Sequence, residues 1–384
     1  MNYILFDHHR ENLLPLTYTR PVADIRIGVL TIREKWEHYL NTTTSTLTED
    51  YLQLKFPLVT NEDNVWINGG VCPTVELVKA ISQLAEGVCL KQGDTTLAYH
   101  SNAEAPTTEI TFKGELTQVS KLWHIFQHNE VAIQADYDLL TAGRISQKLS
   151  DTNQVLGAEN IFVEEGAKVE CSILNATTGP IYIGKNAEVM EGSIVRGPLA
   201  MCEHSVLKLG AKIYGATTLG PYCKVGGEVN NSVLMGYSSK GHDGFLGNSV
   251  LGEWCNIGAD SNNSNLKNNY AEVRLWNYSL QSFEKTGLQF CGLIMGDHSK
   301  CGINTMFNTG TVVGVSVNLF GAGFPRNYVP SFSWGGAAGY STYQLGKVFE
   351  VAEKAMERRA VEFDEVEQNI LSSVFELTEA HRNF

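Results

Sequence analysis

From Ile183 the chain sets an apolar residue at every sixth position: Ile183, Val189, Val195, Met201, Leu207, Ile213, Leu219 and Val225. Four residues after each comes a mostly small one: Ala187, Ser193, Leu199, Ser205, Ala211, Thr217, Cys223 and Val229. A helix repeats near 3.6 residues and a half-buried strand near 2, so neither produces a period of six. The pattern predicts a β-helix in which each hexad supplies one short strand and one corner, the large residue filling the interior. After Val229 the phase slips by two residues, to Val233, Ser239, Phe245, Leu251 and Ile257, and this predicts a bulged corner near Asn230 and Asn231. An interruption over 265–290 reads as a loop leaving the coil, after which Met295, Cys301, Phe307, Val313 and Leu319 restore the repeat. The expected β-helix spans 157–330, with Ile183, Val189, Val195, Ile213, Leu219, Leu251, Ile257 and Val313 inside.

The flanks have other textures. Residues 1–150 alternate between short apolar runs such as VWIN (65–68) and helical stretches, which suggests a small α/β domain. Helices are expected over 73–87, ending at Gly87, and within 116–141. The Gly- and Ser-rich SFSWGGAAGYST (331–342) reads as a connector. The tail, 343–384, carries helical periodicity, and Asp364 with Glu367 forms a capping-box pattern.

Composition narrows the function classes. With 43% hydrophobic, 18% charged and 10% aromatic residues, the 384-residue chain reads as a folded globular protein. A net charge of -13 argues against nucleic acid as the main partner. No apolar run reaches the ~20 residues of a membrane span, and the start MNYILFDHHRENL turns charged too early for a signal peptide, so a cytoplasmic protein is expected. The eight cysteines show no CxxC spacing, which favours free thiols over a zinc cage.

Three stretches carry chemistry: LLPLTYTRPVADIRIG (13–28), VWINGGVCPT (65–74) and SSKGHDGFLGNSVLGEWCNIGADSNNSN (238–265). The first two resemble the opening and the Asn-Gly-Asp strand end of sugar-1-phosphate nucleotidyltransferases. The hexads are similar to the left-handed parallel β-helix of hexapeptide-repeat acyltransferases, and the third stretch runs without a gap against their Lys-x-Gly-His and Asn-Ile-Gly-Ala segments. Together the chain resembles, in divergent form with a shortened first domain, the bifunctional N-acetylglucosamine-1-phosphate uridylyltransferase and glucosamine-1-phosphate acetyltransferase family. The implied architecture is a nucleotidyltransferase-like α/β domain (1–150), a left-handed β-helix (157–330) and a helical tail (343–384), assembled as a homotrimer with sites between prisms.

The resemblance implies that His242 is the general base for acetyl transfer from acetyl-CoA to a sugar-phosphate amine, a task suited to a neutral imidazole near its ordinary pKa of about 6.5. Lys208, Asn230, Phe245 and Asn256 fall on or near sugar-phosphate positions, though Asn230 stands for a family lysine and Phe245 for a tyrosine. Asn265 falls near the thioester, and Lys267 and Arg274, on the interruption, are candidates for the phosphates of acetyl-CoA. In the first domain Asp7, Arg10, Arg20 and Asn68 are the candidates for UTP or dTTP, with Mg²⁺ required if that site is active. Here the departures are large. FDHHREN (6–12) has no glycine where a phosphate loop is expected, Val22 replaces a lysine, and Gly70 replaces the Mg²⁺ aspartate.

Two other readings compete. A γ-type carbonic anhydrase shares the β-helix, but its His-x4-His spacing is missing from 183–323, where His204, His242 and His298 stand. A non-catalytic sugar-nucleotide-binding or trimeric scaffold protein would account for the glycine-free loop and Gly70.

Overall fold

The period of six arises from a coil that turns three corners in each circuit. In the computed structural model, which describes residues 1–101 and 106–384, the coils stack into a parallel β-solenoid with three faces. Among the described residues the first face has six strands, from Gln154–Leu156 to Phe245–Gly247. The second has nine, from Ile161–Val163 to Tyr328–Val329, and the third ten, from Lys168–Val169 to Gly339–Thr342. The eight apolar hexad residues from Ile183 to Val225 are all within 1% of full burial, and so are their eight small partners. Both sets face inward, the large residue from a strand and its partner from the corner that follows or from the next strand. At two of the three polar partners the hydroxyl bonds a backbone carbonyl: Ser205 donates to Cys202 at 2.7 Å and Ser193 to Lys208 at 3.2 Å.

The expected phase after Val229 needs correction. Val195 registers on Ile213, eighteen residues on, but Ile213 registers on Val229, only sixteen on. Leu219 then pairs with Leu234 and Val225 with Lys240, each fifteen on. The interior positions are therefore Leu234, Lys240 and Leu246, not Val233, Ser239 and Phe245; the expected phase rejoins at Leu251 and Ile257. Two residues are lost at the Gly226–Gly227 corner and one more beyond Asn230. The expected bulge is thus a pair of shortened corners, with Asn231 in the left-handed region at φ 45°.

The corner between the second and third faces is turned through a left-handed residue, and in six of the described coils that residue is aromatic: His204, Tyr222, Tyr237, Trp254, His298 and, beyond Ser316, Phe332, at φ 55–61°. A side chain in this conformation costs roughly 1–2 kcal/mol. The first five rings stack as a ladder, with centroids 4.7, 5.3, 4.2 and 6.2 Å apart and planes within 18° of parallel. Aromatic pairs contribute about 0.5–1.5 kcal/mol each, which offsets most of the backbone cost.

Residues 331–342 do not form a loose connector. Ser333–Gly336 adds to the third face beside Asn318–Leu319, and Gly339–Thr342 folds back on it antiparallel. Glycine makes the return possible, because a Cβ on Gly335 would lie 2.2 Å from the Gly339 carbonyl oxygen. Helices Leu345–Glu357 and Glu365–Leu377 follow, the second capped by Asp364, which accepts from the Glu367 amide at 2.9 Å. The interruption contains a hairpin, Arg274–Asn277 with Ser282–Lys285. No helix of the described residues is long and apolar enough to cross a membrane.

The chain divides into two compact units, one of residues 1–25 and 30–121, the other of residues 26–29 and 122–384. The first holds a six-stranded sheet of β1 (Asn2–Phe6), β2 (Ser45–Leu47), β3 (Asn64–Asn68), β4 (Val88–Gln92), β5 (Thr95–His100) and β6 (Thr108–Thr111), in the order β2-β1-β3-β5-β4-β6. The two strands flanking β1 run parallel to it. Helix α1 (Ile32–Leu40) starts with a complete capping box at Thr31 and Glu34. Helix α2 (Val75–Ser82) stops short of the expected Gly87, whose carbonyl accepts from Thr107 and Thr108 at the start of the strand edge. Residues 116–121 are not helical, because the Val119 and Cys72 amides pair with the Gly70 and Thr117 carbonyls. Helices α3 (His124–Gln127) and α4 (Asn129–Thr141) follow, in the second unit.

If the hexads carry the core, Leu219→Ala should cost about 2–5 kcal/mol in urea unfolding. The same truncation at Leu209, which is 67% exposed, should stay within about 0.5 kcal/mol.

Candidate functional site

His242 rides on the corner between the third and first faces, directly above the shortened Gly226–Gly227 corner. The two corners meet backbone to backbone. A Cβ on Gly226 would lie 2.8 Å from the Gly241 oxygen, and one on Gly227 2.8 Å from both the His242 oxygen and the Asp243 Cα. Gly244, at φ 113°, is pressed against the next coil, where a Cβ would fall 2.1 Å from the Ser261 oxygen. The small residues around the histidine are thus the means by which three coils stack closely. The His242 side chain is exposed, with no hydrogen bond or ion pair to its imidazole among the described residues.

Lys240 is the unexpected member of this corner. It occupies an interior position between Val225 below and Ile257 above, at 1% exposure. Its ammonium donates to the Gly226 carbonyl at 3.0 Å and the His242 carbonyl at 2.5 Å. The lysine thus satisfies one carbonyl of the shortened corner and one of the corner above it. Burial pushes its pKa down to about 8, against the pull of Asp243 and Asp260. Sequence reading saw Lys240 only as part of a motif; counting the slip as three residues would have placed it in the core.

The other solenoid candidates are distributed around this corner. Lys208 occupies the same corner two coils below, its Cβ 3.2 Å from where a Gly226 Cβ would be. Phe245 begins the face that leads away from His242, its amide donating to Asn262 Oδ1 at 2.8 Å. Asn230 is on the same face, registered on Gly247, with its amide on the Tyr214 carbonyl at 3.2 Å. Asn256 is exposed on the face that leads in, registered between Ser239 and Lys300. Asn265 donates to Asn248 Oδ1 at 2.8 Å. Lys267 and Arg274 belong to the insertion, where Lys267 is held by the Glu272 carbonyl at 2.8 Å and Arg274 is exposed opposite Lys285. Of the three histidines in the repeat, His204 and His298 are rungs of the aromatic ladder at one corner and His242 stands at another, so they do not converge as zinc ligands must.

In the first unit the candidates lie past the carboxyl ends of β1 and β3, where open sheets bind ligands. Asp7 follows β1 and is closed in. Its carboxylate accepts from the Val22 amide at 2.7 Å, the Thr48 hydroxyl at 2.5 Å and Arg10 at 3.2 Å. Burial pushes its pKa above the ordinary carboxylate value against these partners. Arg10 is also buried, donating to the Arg20 carbonyl at 3.0 Å and the Tyr51 hydroxyl at 2.7 Å. Arg20 is 4% exposed. Asn68 ends β3 and pins the turn, accepting from the Gly70 amide and donating to the Thr96 carbonyl, both at 2.9 Å. These residues do not fit an Mg²⁺ site. An aspartate cannot simply replace Gly70, since its Cβ would lie 2.8 Å from the Val119 oxygen, and the nearby Asp24 is ion-paired with Arg33 at 2.7 Å.

Residues 3–145 match the model of the sugar nucleotidyl transferase family. A search of curated proteins gives no match. Among solved structures, the UDP-N-acetylglucosamine acyltransferase of Arabidopsis is 14% identical over 61% of this chain and 93% of its own, with a TM-score of 0.22. The enzyme of the same name from Campylobacter jejuni is 14% identical over 61% of this chain and 83% of its own, at 0.21. The chain thus pairs a region that matches the sugar nucleotidyl transferase model with a parallel β-solenoid.

The lowered Lys240 value has a measurable sign. Because the folded pKa lies below the unfolded one, the unfolded chain binds more protons between about pH 8 and 10.5, and stability rises with pH there. Over that window wild type should gain about 3 kcal/mol relative to Lys240→Met, at 1.36 kcal/mol per pH unit, in unfolding titrations of both proteins. A difference that stays flat would show that Lys240 is not buried as an ammonium.

Proposed function

We propose that this chain is a transferase of nucleotide-sugar biosynthesis whose solenoid moves an acetyl group from acetyl-CoA to the amine of a sugar phosphate. The observation that carries the reading is the exposed, unpartnered His242 imidazole on a corner fixed by glycine packing and by the Lys240 ammonium. In the reaction His242 takes a proton from the amine as its nitrogen bonds to the thioester carbon. The tetrahedral adduct then collapses, breaking the carbon–sulfur bond, and the imidazolium returns its proton to the leaving CoA thiolate. Lys208, on the same corner, supplies a cation for the sugar phosphate, and Asn256 and Asn265 supply amides for a hydroxyl and the thioester carbonyl. Phe245 and Asn230 line the face beside them. A homotrimer would bring a second prism against this open corner and enclose the reactants.

For the first unit the family match supports a sugar nucleotide as ligand. The buried Arg10 and Asp7 and the hemmed-in Gly70 favour binding without nucleotidyl transfer.

His242→Ala should lower acetyl-CoA consumption with glucosamine-1-phosphate by about 10²–10⁴-fold while leaving the melting temperature unchanged. Unaltered turnover in a stably folded variant would remove His242 from the chemistry. Calorimetric titration with UTP, dTTP and UDP-N-acetylglucosamine should show binding of at least one, with no pyrophosphate released from UTP or dTTP plus a sugar-1-phosphate and Mg²⁺. Pyrophosphate release would restore catalysis to this unit.

A further inference from the structure

Beyond the last coils of the solenoid the structure contains a cavity of about 560 Å³ that none of the functional residues above explains. Three separate stretches of chain build it: the insertion hairpin supplies Trp276 and Phe283, the loop and strands closing the solenoid supply Arg326, Tyr328 and Tyr340, and the end of the tail supplies His381. Its volume lies in the range of sites for small organic ligands, roughly 300–1,000 Å³.

The lining is chemically selective. Trp276 is stacked on Tyr328 at 4.2 Å and 11°, with Phe283 edge-on to the indole at 5.4 Å. His381 is edge-on to Tyr328 at 6.3 Å. The rings hold one another in place, so an aromatic wall is present before any ligand arrives. Burial, with Arg382 nearby, pushes the His381 imidazole below its ordinary value, so it adds a neutral ring at neutral pH. No Asp or Glu side chain is among the residues lining the cavity, although the chain as a whole carries a net charge of -13. The single lining cation is Arg326, whose guanidinium is exposed and makes no hydrogen bond or ion pair among the described residues. An unengaged guanidinium has the geometry to take a phosphate by two parallel hydrogen bonds. Aromatic walls beside a lone arginine fit a ligand with a flat ring at one end and an anion at the other.

We propose that this cavity binds a nucleoside phosphate, with the base among Trp276, Tyr328 and Phe283 and the phosphate on Arg326. The chemistry is shared by nucleotide sugars and by the nucleotide end of acyl-CoA, and the choice of base tells them apart. The site is independent of the His242 reading, since it rests on different residues and is read by binding alone.

The test is calorimetry on the full chain with AMP, UMP, adenosine, uridine and inorganic phosphate. At least one nucleoside monophosphate should bind, and the matching nucleoside should bind about tenfold or more weakly. Arg326→Ala should weaken the nucleotide to the level of its nucleoside and leave the nucleoside unchanged. Phe283→Ala, a change at a side chain 42% exposed, should weaken both. His242→Ala should bind like wild type. Preference for AMP with binding of CoA would mark an acyl-CoA source, and preference for UMP with binding of UDP-N-acetylglucosamine a nucleotide-sugar source. Absence of nucleotide binding at millimolar concentration would overturn the proposal. So would nucleotide affinity indifferent to Arg326→Ala, since that places the ligand elsewhere, the first unit included.

Discussion

The solenoid depends on one constraint, that every coil must set its backbone about 4.8 Å above the one before, amide over carbonyl, all the way around. The strands satisfy it by ladder pairing. The corners satisfy it only if nothing bulky intervenes, which is why so many corner positions are glycine or have small inward partners. Where the corner at Gly226–Gly227 loses two residues, the coil above packs on it backbone to backbone, and the Gly226 and His242 carbonyls lie within reach of the interior. Lys240 answers those carbonyls. The corner that holds His242 is therefore fixed by a charge inside a mostly apolar prism, so the unusual core residue and the candidate catalytic residue belong to one local feature.

Much of this was legible in sequence because the hexad is a strict geometric period. Ile183 through Val225 could be assigned to the interior one by one. The reading failed where the period itself changed length. Val233 and Phe245 are apolar and lie one residue from the true interior positions Leu234 and Leu246, so an apolar count cannot detect the extra step. The residue that marks the step, Lys240, is charged, and a period of apolar positions passes over it. Residues 331–342 misled in the opposite way: glycine and serine suggested a flexible connector, while the same glycines permit a hairpin too tight for side chains.

The candidate sites divide along similar lines. His242 was legible because its neighbours in sequence are also its neighbours in the coil. In the first unit Arg10 has the residue type of a phosphate binder, but what engages it, Tyr51 and the Arg20 carbonyl, comes from distant parts of the chain. Residue type gives an ability; the fold decides whether that ability is already in use. The cavity at the end of the solenoid shows the converse, since its walls come from three stretches with no common motif.

The aromatic ladder has a consequence for how the solenoid transmits disturbance. Its rungs form a linear lattice: Tyr222, Tyr237 and Trp254 each lean on two neighbours in the stack, and His204 and His298 are its two ends. Each inner rung keeps an unfavourable backbone angle partly because both neighbours reward it, so loss of one ring weakens the case for two others and for no ring beyond them. Coupling along this edge is nearest-neighbour coupling, as in repeat proteins generally, and a perturbation at one coil fades within about one coil in either direction.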